Sequence, residues 1–283
     1  MYALPAVGVV LVFIGYPFAS LIYHAFTNWS GFGPVGWVGV RNFVNVYHDP
    51  LFRLSLRNNA IFALMVPVQV IVPLAIAYLI YCRVPGWRLF RSTFFLPAVY
   101  STVVLGLLAR NIFSVTGPFN GLLGLMGLKF LEKNWLLYPP WSIPTILLIV
   151  IWANFGYNVI IYLGGMSALP VEMIEAARLD GSRFVRTLAR VIAPNLKNSM
   201  ELVLVTSTIT AFAYMFTYIY VITNGGPGFD TYVVEMLVYN DAFVDRALGY
   251  ASAIGLLLIV VTSTIGFFQI RMLTGRGRER VTQ

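Results

Sequence analysis

Residues 141–163 read WSIPTILLIVIWANFGYNVIIYL, from Trp141 to Leu163, without a single charged side chain. A run so long and apolar has the length of a helix that crosses roughly 30 Å of hydrocarbon. In that solvent every backbone N–H and C=O must be satisfied within the segment, so a helix is the economical fold. Five further stretches share the character: 3–26, 59–81, 92–112, 200–222 and 250–272. They lack the period-two alternation of barrel strands, and bundled membrane helices tolerate the prolines they contain, among them Pro73, Pro97 and Pro144. The pattern predicts an all-α membrane protein with six transmembrane helices, one domain over residues 1–283. The first run is not read as a cleavable signal: it is long, lacks a basic leading region and has no small-residue cleavage site.

Composition agrees. Hydrophobic residues make up 59% of the chain and charged residues 11%, against roughly 45–50% and 25% in ordinary globular chains. Cys82 is the lone cysteine, which excludes an internal disulfide and a cysteine-built metal cluster, and His24 and His48 are the only histidines. The net charge of +8 raises nucleic acid as a partner, but its placement explains it otherwise. Arg83, Arg88 and Arg91, then Arg178, Arg183, Arg186, Arg190 and Lys197, then Arg271, Arg276, Arg278 and Arg280 all fall on the side of the termini. The opposite loops carry fewer cations and more acids, so the positive-inside bias puts both termini in the cytoplasm. The charge is then a topology signal, and no nucleic-acid partner is expected.

On the side away from the termini, residues 27–58 are rich in glycine and aromatics, and Trp29, Trp37, Phe43 and Tyr47 suit a membrane interface. Asn224-Gly-Gly-Pro-Gly228 reads as a turn. The segment Tyr232–Phe243 that follows mixes apolar and acidic residues and is expected as a short helix along the membrane surface.

The informative loop is 164–199, on the side of the termini. Pro170 with Glu172 and Glu175 marks a helix start, because acids suit the positive end of the helix dipole. Gly181 ends that helix. A second one is expected with Phe184, Leu188 and Val191 on one face, and Pro194 breaks it. Glu175-Ala-Ala, three residues, Gly181, nine residues and Val191-Ile-Ala-Pro194 together resemble the EAA loop of binding-protein-dependent ABC importer permeases. Val191 stands where the family usually has isoleucine and Ala193 where it has leucine. The likeness runs along the chain. Asp49-Pro50 with Asn58-Asn59, Arg91 with Phe95-Leu96-Pro97, Asn224-Gly-Gly-Pro227, and Gly249-Tyr-Ala-Ser-Ala253 are similar to the maltose-type sugar permeases. Members of that family usually begin with a basic cytoplasmic tail, whereas here the first run starts almost at Met1.

The resemblance implies a type I ABC importer permease bundle in a bacterial cytoplasmic membrane, with a cytoplasmic coupling helix. It places Glu175, Ala176, Ala177, Arg178, Asp180, Gly181 and Pro194 at the contact with an ATPase, small alanines permitting close approach. It implies as partners a second homologous permease, two ATPase subunits and an extracytoplasmic solute-binding protein that meets Gly225, Gly226 and Pro227. ATP and Mg would be bound by the ATPase, for no G-x-x-x-x-G-K-[ST] phosphate loop occurs here; no cofactor, metal or catalytic residue is expected in this chain. Polar groups at mid-membrane face a bundle interior, which makes Asn154, Tyr157, Asn158, Thr208, Thr210, Tyr214 and Thr217 the candidates for a solute path, against the plainer role of interhelical hydrogen bonding. Glu201 is read as an acid at the cytoplasmic end that snorkels. The solute is expected to be a sugar; a permease for another solute such as glycerol phosphate is the alternative. An ion-coupled secondary transporter is less favoured, since no ionisable mid-membrane site or inverted repeat stands out.

Overall fold

In the computed structural model, which describes residues 4–179 and 182–278, the apolar runs become helices and the chain is helical nearly throughout. Among the described residues, strand-like pairing is confined to one antiparallel bridge, Thr27 to Trp37. Helices α1 (Leu4–Val10) and α2 (Tyr16–Ala25) join through a π-turn at Leu11–Gly15 to make one rod. A short helix α3 (Arg41–His48) precedes α4 (Pro50–Phe62) and α5 (Met65–Tyr81), which together run 32 residues. The second run thus begins nine residues before the expected Asn59. The cause is a helix start that hydropathy does not register. The Asp49 carboxylate accepts from the Leu51 N–H at 2.8 Å and Pro50 occupies the first turn.

The third run is not a straight rod. Helix α6 (Trp87–Val99) and α7 (Thr102–Ile112) meet at 111°. Tyr100 and Ser101 are extended between them, and the Ser101 hydroxyl accepts from the Val104 N–H at 3.3 Å as the cap of α7. Pro97 in the last turn of α6 has no N–H to give. A short α8 (Pro118–Leu125) leads to α9 (Ser142–Ser167), the quoted run, now 26 residues and without a break. The fifth run also bends. Helix α13 (Lys197–Ala213) and α14 (Met215–Ile222) diverge by 48° at Tyr214. Before α13 come α10 (Val171–Leu179), α11 (Phe184–Thr187) and α12 (Ala193–Asn195); after α14 come α15 (Val234–Tyr239) and α16 (Leu248–Arg278).

Side chains fill two cores, one above the other. Toward the termini, Leu74, Tyr78, Val159, Tyr162, Met166, Ile192 and Leu196 pack together. At the far end Phe62, Met65, Ile146, Val150, Met215, Ile219 and Ile254 do so. Helix α9 runs through both, and it reaches α6 closely because Gly156 has no side chain: a β-carbon there would stand 2.3 Å from the Phe94 carbonyl oxygen.

Two sequence expectations are corrected here. Residues 232–237 do not lie along a surface, although Phe243 at the end of the expected segment is exposed. Val233, Val234, Met236 and Leu237 are buried, and α15 packs into the far core against α4 and α16. Asn58 holds it there, its amide donating to the carbonyls of Asp230 and Tyr232 at 2.8 and 2.9 Å. The second helix of the 164–199 loop is also irregular. A π-turn at Leu188–Ile192 inserts an extra residue, so Ile192 and not Val191 becomes the fully buried side chain.

Candidate functional site

Where α13 bends away from α14, a cavity of about 460 Å³ opens between α7, α9, α13 and α14. Asn154 and Tyr157 line it from α9; Thr206, Ile209 and Thr210 from α13; Thr217 and Tyr218 from α14; and Thr102 from the start of α7. Tyr214, the residue of the bend itself, also lines it, with a backbone outside the helical region (φ −122°, ψ 9°). A smaller space of about 70 Å³ continues past Asn154 toward Gln69, Asn158 and Ser207.

This lining is hydroxyl, amide and aromatic, with no cation or carboxylate. The Thr206 and Thr210 hydroxyls donate to the carbonyls of Leu202 and Thr206 at 2.8 and 3.0 Å, which leaves oxygen lone pairs free to accept. Asn154 donates to the Val150 carbonyl at 2.9 Å and meets the Tyr218 hydroxyl at 3.5 Å. Tyr157 and Tyr214 are more than half exposed, 56% and 67%. The cavity is therefore a groove open on the flank of the bundle, walled by this chain on one side.

Five of the seven residues expected on a solute path come together in this groove: Asn154, Tyr157, Thr210, Tyr214 and Thr217. Asn158 is turned inward. It is 3% exposed, and its amide donates to the Gln69 side-chain oxygen at 2.5 Å. Thr208 lies on another face of α13, buried, where its hydroxyl donates to the Leu204 carbonyl and accepts from Gln269 of α16 at 2.7 Å. Sequence reasoning passed over Gln69, Thr102, Thr206 and Ile209. Gln69 has a signal, as an amide within an otherwise apolar helix; Thr206 and Ile209 lie in the same run as Thr208 and Thr210, and Thr102 comes from a run with no other candidate, so only the folded arrangement brings it in.

In the 164–199 loop, α10 turns Ile174 and Ala177 into the core near the termini. Val171, Glu175 and Leu179, four apart, form the exposed stripe with Glu172 and Ala176, and Leu179 is 89% exposed. The small side chain of Ala177 thus serves packing within this chain, whereas Ala176 faces out. Asp180 and Gly181 lie outside the described residues, as does the side chain of Arg178. Pro194 is exposed in α12. In the 224–228 turn Gly225 is buried at φ 85°, and a β-carbon there would meet the Tyr232 ring at 2.6 Å. Gly226 and Pro227 are half-buried, and the exposed tip is Asn224, Gly228 and Phe229.

Comparison with known proteins places the chain. Residues 34–278 match the family model described as the binding-protein-dependent transport system inner membrane component. The chain belongs to that family. A probable ABC transporter permease, YurN of Bacillus subtilis, is 32% identical over 276 residues, covering 96% of this chain and 94% of the relative. The multiple sugar-binding transport system permease MsmF of Streptococcus mutans is 29% identical, covering 93% and 90%. The sn-glycerol-3-phosphate permease UgpA of Brucella abortus is 28% identical, covering 96% and 93%. Among solved structures, a bacterial ABC transporter that imports the acidic polysaccharide alginate superposes with a TM-score of 0.84 at 22% identity. It spans 100% of this chain and 95% of that one. The fold is thus that of an ABC importer permease, a multi-pass subunit of the inner membrane whose role in the family is transport.

Proposed function

We propose that this chain is one of two permease subunits of an ATP-driven importer and that it passes a neutral sugar or sugar-like solute along the groove at the Tyr214 bend. The groove's lining carries the reading. Threonine hydroxyls, an asparagine amide and tyrosine faces match the hydroxyls and apolar ring faces of a carbohydrate, while a phosphate or carboxylate would ask for a cation that is absent from this wall. Arg110 lines a separate cavity of about 290 Å³ beside Asn224. That several relatives are sugar permeases supports the same class. A groove walled on one side suits a homologous permease as the other wall. The exposed stripe Val171, Glu175, Leu179 offers apolar surface around a carboxylate to an ATPase, with two copies of that subunit binding ATP and Mg. An extracytoplasmic binding protein would deliver solute at the Asn224–Phe229 tip, and both termini would be cytoplasmic.

The test is reconstitution. Proteoliposomes holding both permeases should take up sugar only with the ATPase, ATP and a loaded binding protein. Uptake driven by a proton or sodium gradient without ATP would overturn the reading.

A further inference from the structure

At the bend of the fifth run, the amide of Met215 and the carbonyl of Ala211 are the donor and acceptor of one ordinary helical hydrogen bond, four residues apart. Here they are parted and each has a side-chain partner from another element. The Ala211 carbonyl accepts from the Asn59 side-chain amide at 2.8 Å. The Met215 N–H donates to one carboxylate oxygen of Glu235 at 3.2 Å. Asn59 and Glu235 also meet each other, the same Asn59 nitrogen donating to the second Glu235 oxygen at 3.1 Å. The Asn59 amide oxygen in turn accepts from the Val234 N–H at 2.9 Å. Asn59 is fully buried. A single helical bond is thus replaced by a bridge of two side chains, one from α4 and one from α15.

We propose that Asn59 and Glu235 are positioning residues for the solute groove: together they hold the fifth run broken at Tyr214, which turns Thr217 and Tyr218 into the cavity and ties that wall to the 224–239 segment. The alternative to the bridge is the ordinary bond. If either partner is lost, Met215 N–H and the Ala211 carbonyl can satisfy each other only by straightening the helix, since leaving them unpaired in a core costs about 1–3 kcal/mol each. Straightening rotates everything beyond Tyr214 away from the groove. Two discrete arrangements of one element are the physical requirement for a coupled movement, and the segment that carries the exposed tip holds one end of the bridge.

Protonation acts on the same device. Glu235 lies between the fifth and sixth runs, and burial raises its carboxyl to about 7, opposed by the hydrogen bonds from Asn59 and from backbone N–H groups. Charged and titratable groups on the elements around α15 include Arg53 and Arg57 on α4, Lys197 and Glu201 on α13, and Tyr218 and Tyr220 on α14. Asp230 precedes α15, Asp241 follows it, and Tyr250 and Arg271 belong to α16. None makes an ion pair or hydrogen bond with Glu235 among the described residues. The ionised carboxylate accepts both N–H groups well, whereas the acid keeps one good acceptor. The bridge is therefore stronger above about pH 7 and weaker below it.

The test reads the bend and not the solute, so it stands apart from the sugar assignment on which its functional meaning rests. In the full transporter carrying Cys82→Ser, a cysteine is placed at Thr217, beyond the bend, or at Thr206, before it. Each is reacted with a cationic methanethiosulfonate reagent, and the ratio of rates cancels thiol ionisation. Asn59→Ala and Glu235→Ala should lower the Thr217-to-Thr206 ratio about five-fold, the worth of one net hydrogen bond. Without those changes, the ratio should rise through a midpoint near pH 7; Glu235→Gln, which keeps the shape and one acceptor, should hold it at the low-pH value throughout. An unchanged ratio in the alanine variants overturns the proposal. Should those fail to assemble, a pH dependence retained in Glu235→Gln overturns it. A lowered ratio with sugar uptake unchanged would instead count against the groove as the solute path.

Discussion

Asn58 and Asn59 stand side by side in sequence, and each amide is spent on backbone from a segment more than 150 residues away. Asn58 and Tyr232 are both buried, so the Tyr232 carbonyl depends on this bond, whereas Asp230 is exposed. Asn58→Ala should strand the Tyr232 carbonyl at about 1–3 kcal/mol, read as a lower melting temperature of the detergent-purified transporter. On the groove wall the consequence is different. Tyr214→Phe and Thr217→Val each remove one hydroxyl from the open cavity, and each should raise the KM for sugar uptake about five-fold, seen in the concentration dependence of uptake. Much of this wall was legible from polar side chains at helical spacing in apolar runs. Glu235 was not, because its apolar neighbours looked like one face of a surface helix. Only the long-range contacts of Asn58 and Asn59 reveal that Val234, Met236 and Leu237 are core.

Hydropathy located every long helix, but it is blind to where a helix starts, bends or slips register. Pro50–Tyr81 begins at an Asp-Pro cap, the third run breaks at a serine cap, and the π-turn at Leu188–Ile192 shifts which side chain faces in. These features lie in backbone hydrogen bonds, not in apolar content. Close approach is equally local. Gly156→Ala would push a β-carbon to 2.3 Å from the Phe94 carbonyl oxygen of α6, backbone that cannot yield, whereas Gly164→Ala on the same helix meets nothing within 4 Å. The first should lower thermal stability and the second leave it within about 0.5 kcal/mol, measured by unfolding of the two purified variants. Helix α10 makes the matching functional case. Glu175→Lys or Leu179→Asp changes only its exposed stripe, so both variants should insert and fold while ATP-driven uptake falls by about ten-fold or more, the scale of a binding hot spot.

The two bends matter most for the molecule as a whole, because they decide which side of the membrane α10 occupies. If α6 with α7 and α13 with α14 each cross, the chain crosses six times and α10 lies on the side of the termini. If both turn back, four crossings remain; the termini still share a side, but α10 falls on the opposite one. A cavity of about 160 Å³ is lined by Tyr81, Cys82 and Arg83 from the end of α5 and by Val171, Ile174 and Glu175 from α10, so these segments are neighbours. Two segments in contact belong on one side, which favours six crossings. The loop cations Arg183, Arg186 and Arg190 favour the same count, since they would otherwise breach the positive-inside bias. An impermeant maleimide decides it. In inside-out vesicles Cys82 should react, as should a cysteine at Leu179 in a Cys82→Ser background, while one at Leu125, 87% exposed beyond α7, should react only in right-side-out vesicles. Labelling of Leu125 and Cys82 from the same side would mean that α6 and α7 turn back.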